Sequence, residues 1–372
     1  MAFIANEGVA PKGERYDRSA LVNDTASKLY KKTKFGDFIY SSNNLETGSI
    51  GLNKYGKASI SPVYSIFKPT GIADSDFLGR RLIRKDFINE MVKWRQGVIY
   101  GQWRIHESDF IKIEVTVPTV EEQYKLGLLL DNLDTLITLH QRKYEKLVNI
   151  KKSMLDKMFP KNGASVPEIR FKGFTDLWEQ RKLVELTKTI TTGKSVNSDE
   201  GEVSDGDIGV LKTSCVSYDR FNPSESKPVV KSEQQLVKCA VEKDSVIVSR
   251  MNTPERVGAC GYVSTDFPNL FLPDRLWKLK FQDTVDTYFV YMMLVSSAYK
   301  EKITSMASGT SGSMYNIPKE TFLNLQLVIP AKIDEQKQLG KILKKIENDE
   351  IVVEHTAKKH EDTTNQIGFG DG

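Results

Sequence analysis

The chain has 372 residues, of which 39% are hydrophobic and 27% are charged, and its formal net charge is +4. This length and composition favour two globular domains, and the mild basic excess gives only weak support for binding to nucleic acid. The three cysteines and four histidines are scattered, which argues against a disulfide framework or a metal site. No apolar stretch approaches the roughly 20 residues of a membrane span, and the first residues lack the pattern of a signal peptide. We therefore expect a cytoplasmic protein that contacts no membrane.

The first part of the chain has the pattern of a strand-rich unit. A charged turn leads into a β-branched and aromatic strand at Lys34–Ser42, and another apolar strand follows at Ile60–Phe67. A helical stretch is predicted from Asp76 to Trp94. The unit ends in Gly97–Pro118, which contains a glycine loop and a last strand that stops at a proline.

A long helix is predicted to follow, from Val120 to Phe159. The acidic residues Glu121 and Glu122 lie in its first turn, where they suit the helix dipole. Apolar residues then recur with the seven-residue spacing of a coiled coil, interrupted by His140 and Lys143. A helix of this length extends about 60 Å and needs a partner helix to cover its apolar rows.

The chain then repeats itself. A breaker-rich linker, Pro160–Pro167, opens a second strand-rich unit. Its segment Gly309–Pro330 aligns with Gly97–Pro118 without a gap, at an offset of 212 positions. One extra residue then brings the helix start Ile333–Gln336 onto Val120–Gln123. The residues predicted to form the seam between the two long helices are Leu126, Leu129, Leu133, Leu136 and Leu147 in the first and Leu339, Ile342, Ile346 and Val353 in the second.

Four motifs, taken in their order and duplication, resemble the specificity subunit of type I restriction-modification systems. They are Val117–Gln123, Thr138–Glu145, Pro167–Trp178 and Ile329–Gln336. The resemblance covers residues 1 to about 360. It implies an α+β fold in which two strand-rich target-recognition domains are separated by two long, antiparallel coiled-coil helices.

The resemblance also implies a function. Each target-recognition domain would read one half of a bipartite sequence in double-stranded DNA, and the helices would fix the gap between the halves. The same helices would carry two methyltransferase subunits and, through them, the restriction (motor-nuclease) subunits. The chain itself would be non-catalytic and would need no cofactor.

The resemblance implies domains with the following boundaries: a first target-recognition domain at 1–118, a first spacer helix at 119–160, a linker at 161–177, a second target-recognition domain at 178–330, a second spacer helix at 331–361 and a flexible tail at 362–372. The second domain opens with a leading segment, residues 167–211, that has no counterpart in the first. We therefore expect the first domain to be incomplete at its N-terminal side.

Candidate DNA contacts are forked, cationic or hydroxyl side chains in polar loops. In the second unit they are Lys212, Ser214, Tyr218, Arg220, Arg250, Asn252, Arg256, Ser311 and Tyr315. In the first unit they are Arg15, Tyr16, Arg18, Asn43, Asn44, Tyr100, Gln102 and Arg104. Any one of these taken alone is more often a solvated surface residue, but the loops taken together favour DNA contact.

Enzyme signatures are incomplete. Thr192–Ser195 resembles the end of a phosphate-binding loop, but Lys188 stands where the loop needs a glycine. Asp274 and Glu335 superficially suit a metal-dependent nuclease, yet Glu335 lies in the repeated helix start. Two alternatives to a DNA-reading subunit stay open: a scaffold that binds methyltransferase and reads at most half a site, and an autonomous methyltransferase or nuclease.

Overall fold

The computed structural model describes residues 2–4, 8–10, 29–43, 45, 49–99, 102–161, 164–204, 206–218, 220–309 and 314–367. The chain divides into two compact units, residues 1–138 with 358–372 and residues 139–357. Both mix strands with helices, and the helices of 38 and 35 residues confirm the predicted α+β class with two long helices.

The first unit is built from short antiparallel strands and small helices. Its elements are β1 (Ala2–Ile4), β2 (Gly8–Ala10), β3 (Lys31–Thr33), β4 (Phe38–Tyr40), β5 (Ile50–Leu52), β6 (Ala58–Ile60), β7 (Ser65–Phe67), α1 (Ser75–Leu82), α2 (Lys85–Lys93), β8 (Gln96–Ile99), β9 (Gln102–Arg104) and α3 (Glu107–Phe110). The central sheet has the order β5-β4-β7, and β3 pairs with β6.

Aromatic side chains hold this unit together. The rings of Phe67 and Phe110 lie 4.4 Å apart, and that of Tyr40 lies 4.9 Å from Phe110. Burial raises the pKa of Tyr40 to about 12. Aromatic pairs at such separations add to the free energy that burial alone provides, and α1 and α2 close this core with Leu82, Phe87 and Met91.

The second unit has more strands and a larger core. Its elements before the last helix are β10 (Glu179–Lys182), α5 (Leu183–Leu186), β11 (Thr187–Thr192), β12 (Gly209–Leu211), β13 (Val216–Ser217), β14 (Arg220–Phe221), β15 (Ser226–Pro228), β16 (Ala240–Val241), β17 (Ser245–Ser249), β18 (Met251–Asn252), β19 (Cys260–Val263), β20 (Phe267–Phe271), β21 (Leu276–Phe281), α6 (Thr287–Val295), α7 (Ser297–Ser305), β22 (Tyr315–Asn316), α8 (Lys319–Leu323) and β23 (Gln326–Ile329). The two main sheets have the orders β11-β21-β17-β19 and β15-β12-β20-β16. Helix α6 is apolar on all sides, and residues Thr287–Leu294 are all buried, as expected of a helix in the middle of a core.

The long helices are α4 (Val120–Lys157) and α9 (Ile333–Ile367). Within the second unit they run antiparallel. The end of α4 lies beside the start of α9, because Ile169 bonds to the carbonyl of Lys157 and its neighbour Arg170 binds Glu335. Lys151, one and a half turns earlier in α4, pairs with Glu350 at 3.3 Å, four turns later in α9.

Helix α9 ends at Ile367, six residues beyond the predicted end of the second spacer helix at 361. The hydroxyls of Thr363 and Thr364 donate to carbonyls four residues earlier, as threonines inside helices often do.

Burial along the predicted seam is uneven. Leu133, Leu339 and Val353 are buried, and the half-buried members are Leu126, Leu147, Ile342 and Ile346. The exposed members are Leu129 and Leu136, whereas Leu130, which the heptad pattern did not select, is 3% exposed. The first part of α4 buries Gln123, Gly127 and Leu130, the spacing of a helix face that packs on a globular body.

Candidate nucleic-acid interface

Asp274 is the centre of a polar surface at one end of the second unit. Its carbonyl accepts from Arg250 Nε at 2.8 Å and from Thr192 Oγ1 at 3.1 Å. Its carboxylate accepts from Ser195 Oγ at 2.6 Å. We call Lys194, Arg250, Asp274 and Arg275 the Asp274 surface. It contains three cations and one carboxylate, and Lys194 and Arg275 are exposed.

A glycine makes the close approach of these loops feasible. A Cβ at Gly193 would lie 1.5 Å from the carbonyl oxygen of Leu272, so no larger residue fits without moving the backbone. Gly193 therefore serves to hold the 192–195 loop against the strand end at 272–274, which brings Lys194 to the Asp274 surface. From the sequence alone, this loop was interpreted only as an incomplete phosphate-binding motif.

Of the other residues predicted to contact DNA near this surface, some are buried or half-buried and one is exposed. Asn252 is 8% exposed and donates to Ser249 Oγ at 3.1 Å. Tyr315 lies opposite Asn252 in the β18–β22 pair and is half-buried. Arg256, in the turn after β18, is exposed, and Ser311 lies outside the described residues.

The other predicted group in this unit does not join the Asp274 surface. Lys212 and Ser214 both contact Glu225, at 3.8 Å and 2.6 Å. Tyr218 donates to the carbonyl of Val257 at 2.6 Å, and burial raises its pKa. Arg220 pairs with Glu354 on α9 at 3.2 Å. These polar side chains bind other residues of the same unit. A sequence shows that a residue is polar, but it does not show whether the residue already has such a partner.

In the first unit fewer predicted residues can be located. Arg104 is exposed on β9, and Asn43 is half-buried with an Oδ1 that has no hydrogen-bond partner. The backbone of Gln102 lies in β9, but its side chain lies outside the described part. The remaining predicted residues that fall outside the described ranges are Arg15, Tyr16, Arg18, Asn44 and Tyr100.

A lysine-lined concavity in the first unit was missed. It has a volume of about 570 Å³, and its cations are the exposed residues Lys32, Lys34, Lys57 and Lys68. The one carboxylate in its lining, Asp37, is 1% exposed and accepts from Thr33 and the Lys34 amide. The β3–β6 pairing brings the lysines together from separate parts of the sequence. We call them the lysine surface, and their charge suits phosphate groups.

Two of the three thiols of the second unit, those of Cys215 and Cys260, are buried and are poor nucleophiles. Cys260 is buried, and burial raises its pKa to about 12. Burial likewise raises the pKa of the buried Cys215. Within the described part of the chain, no group of three or more His, Cys, Asp or Glu side chains could hold a metal ion. None of the described helices is long and apolar enough to cross a membrane.

Comparison with known proteins identifies a matching family model and similar proteins. Residues 175–361 match the family model described as the type I restriction modification DNA specificity domain. The specificity subunit of the type I restriction enzyme MjaVIII from Methanocaldococcus jannaschii is 23% identical over 334 residues, which is 87% of this chain and 76% of that protein. The specificity subunit of the Escherichia coli enzyme EcoEI is 22% identical over 53% of this chain and 34% of its own length.

A solved structure shows that the fold is shared as well. The crystal structure of the S subunit of a type I restriction-modification system from M. genitalium aligns with 92% of this chain and 85% of its own, with a TM-score of 0.62 and 14% identity. The matched residues 175–361 include β10 to β23 and most of α9, and they make up half of the chain. The chain therefore belongs to the family of type I restriction-modification specificity subunits.

Proposed function

We propose that this chain reads a bipartite DNA target and positions the methyltransferase and restriction subunits of a type I complex in the cytoplasm. The observation that carries the proposal is the duplication. Each unit joins a strand-rich body to the start of a long helix, and each presents a basic surface. Two reading heads on helical spacers suit a target in two halves at a fixed distance.

We assign the two reading domains to residues 1–118 and 178–330, with the long helices as spacers. The Asp274 surface and Arg256 are the preferred DNA contacts in the second domain, because Lys194, Arg256 and Arg275 are exposed and Arg250 is only half-buried. The lysine surface is the preferred backbone contact in the first. Methylation and cleavage would then be carried out by the partner subunits, to which this chain contributes no catalytic residue.

The first experiment is co-purification with the methyltransferase subunit, followed by methylation mapping on genomic DNA. The proposal expects a stable complex and a methylated motif in two halves. Loss of complex formation, or methylation without sequence preference, would contradict it.

A second candidate function is a scaffold that binds methyltransferase and reads only one half-site. It is favoured by a difference in burial between two corresponding strands. All residues of β7 in the first unit are half-buried, whereas all but one residue of β21 in the second unit are buried. A stable complex that methylates a single half-site, or none, would support the scaffold.

A further inference from the structure

Arg250 is held by two neighbouring carbonyls directly after strand β17. Its backbone N–H donates to the carbonyl of Arg275 at 3.1 Å, and its side-chain Nε donates to the carbonyl of Asp274 at 2.8 Å. Its own carbonyl accepts from the N–H of Ile317 at 2.9 Å. The fold therefore fixes the backbone and the Nε edge of the guanidinium, whereas the two terminal nitrogens have no hydrogen-bond partner among the described residues.

Asp274 presents a carboxylate beside this donor edge. Ser195 Oγ donates to its Oδ1 at 2.6 Å, which holds the carboxylate in place. In the part of the chain that the structure describes, Oδ2 has no partner, and the carboxylate forms no ion pair with Arg250 although the guanidinium lies against the carbonyl of the same residue. A forked donor and an acceptor therefore lie side by side, and neither satisfies the other.

The loops that carry these groups are tied together by further bonds. Thr192 Oγ1 donates to the carbonyl of Asp274 at 3.1 Å and to that of Leu276 at 2.9 Å. The loops lie in the stretches 164–204 and 220–309, which the structure describes without a gap. Groups that are already oriented lose little conformational freedom on binding, so this arrangement suits a contact that distinguishes ligands by their geometry.

The arrangement matches the major-groove edge of a G·C base pair. Guanine presents two acceptors, O6 and N7, to a forked donor such as arginine, and cytosine presents its N4 amino group to a carboxylate. Adenine instead presents one acceptor and an amino group, which leaves one arm of the fork without an acceptor. A phosphate would satisfy Arg250 but would be repelled by the carboxylate of Asp274.

We propose that Arg250 and Asp274 together read a G·C base pair in the half-site of the second unit. Arg250 binds O6 and N7 of the guanine, and Asp274 accepts from the amino group of the paired cytosine. Arg275, which is exposed, contacts a phosphate beside this pair. The inference rests on the proposed DNA-reading function and adds to it the identity of one base pair.

The test starts from the methylated motif of the full chain in complex with the methyltransferase subunit. Arg250→Lys keeps the charge but loses the fork, so it should lower the preference for guanine at one position by about tenfold. Asp274→Ala keeps the carbonyl that holds Arg250 and should lower the preference for the same base pair. The matched control is Arg275→Ala, which should weaken binding to all sequences alike and leave every base preference unchanged.

Modified duplexes identify the contacted atoms. A 7-deazaguanine at that position lacks the N7 acceptor and should weaken binding of the native complex by about tenfold. It should have little effect on the Arg250→Lys complex, in which the contact is already lost. Inosine lacks only the amino group that guanine presents in the minor groove, so it should leave the affinity of the native complex unchanged.

The possible results separate this inference from the function on which it rests. A bipartite motif without a G·C pair in either half, or a guanine preference that survives Arg250→Lys, would overturn the inference and leave the proposed function intact. A change of preference with Arg275→Ala alone would overturn it as well. If Arg250→Lys does not assemble, an unchanged affinity of the native complex for the 7-deazaguanine duplex decides against the inference. Methylation without any sequence preference would overturn both.

Discussion

Gln336 accepts a hydrogen bond from the backbone N–H of Asp286 at 3.0 Å, and Gln123 accepts the equivalent bond from Asp74 at 2.9 Å. Both glutamines also donate to a proline carbonyl, at Pro330 and Pro118. Each aspartate caps a helix through its side chain. One glutamine thus ties the start of a long helix to the proline that precedes the helix and to an internal helix of its unit, and the same arrangement, which we call the glutamine brace, occurs twice.

Replacing this brace should destabilise the second unit. Gln336→Ala leaves a buried N–H and a buried carbonyl without partners, which we expect to cost about 2–4 kcal/mol in the free energy of unfolding. Gln338→Ala, on an exposed position of the same helix, should change it by less than about 0.5 kcal/mol. Urea denaturation followed by circular dichroism measures both, and equal values would show that the brace has no energetic role.

The 192–195 loop should tolerate no side chain at its glycine. Gly193→Ala forces a clash with the carbonyl of Leu272, so we expect a large loss of stability and a lower melting temperature. Lys194→Ala, on the exposed neighbour, should leave the melting temperature unchanged. An unchanged melting temperature for both would mean that the loop does not need its close approach.

Lys194→Ala should nevertheless affect DNA binding if the Asp274 surface contacts phosphate. Loss of one phosphate contact should reduce the slope of log affinity against log salt by about 0.9. Titration of the purified methyltransferase complex at several salt concentrations measures the slope. Lys188→Ala, a change to another exposed lysine of the same segment, is the control, and an identical slope in both variants would remove Lys194 from the interface.

Arg250→Ala should weaken binding or relax one half of the target. Its guanidinium lies against Asp274 and can present its remaining donors to a base or phosphate. Arg181→Ala, which removes an arginine engaged with Glu179 and Glu185, should leave the methylated motif unchanged. Methylation mapping with each variant compares the two halves, and an unaltered motif and affinity for Arg250→Ala would refute its role.

At acid pH the protein should lose the contribution of the Glu242 carboxylate to its free energy of unfolding. The hydrogen bond from Lys278, followed by that from Lys280, lowers the pKa of Glu242. A carboxyl whose pKa is lower in the folded state stabilises the protein above its unfolded pKa of about 4.3, and this contribution is lost as the pH falls through the folded pKa. Glu242→Gln should therefore reduce stability at about pH 7 but have little effect at about pH 3. Denaturation of Glu242→Gln and of the exposed control Glu202→Gln at both pH values checks the sign.

The features that were predicted well from the sequence are those that occur in both units. The offset between the units placed Gln336 on Gln123, and the structure gives both the same bonds. The seam was predicted less well, because heptad spacing cannot distinguish a helix that pairs with a helix from one that packs on a globular body, as Leu130 does. The lysine surface was missed because strand pairing brings Lys32 beside residues 57–59. Tyr218 and Asn252 were predicted to contact DNA because they are polar, but in the structure each donates a hydrogen bond to another residue of the same unit.

The ion pair between Arg170 and Glu335 also determines when the second unit can finish folding. The two residues are 165 positions apart, and the leading segment leaves the ribosome long before the start of α9 does. Before residues 326–329 have been made, strand β10 has no β23 to pair with, and before Glu335 has been made the indole N–H of Trp178 lacks its acceptor. Contacts of such large sequence separation form late. A chain that stops before residue 326 therefore leaves β10 without its partner strand and the indole N–H of Trp178 without its carboxylate.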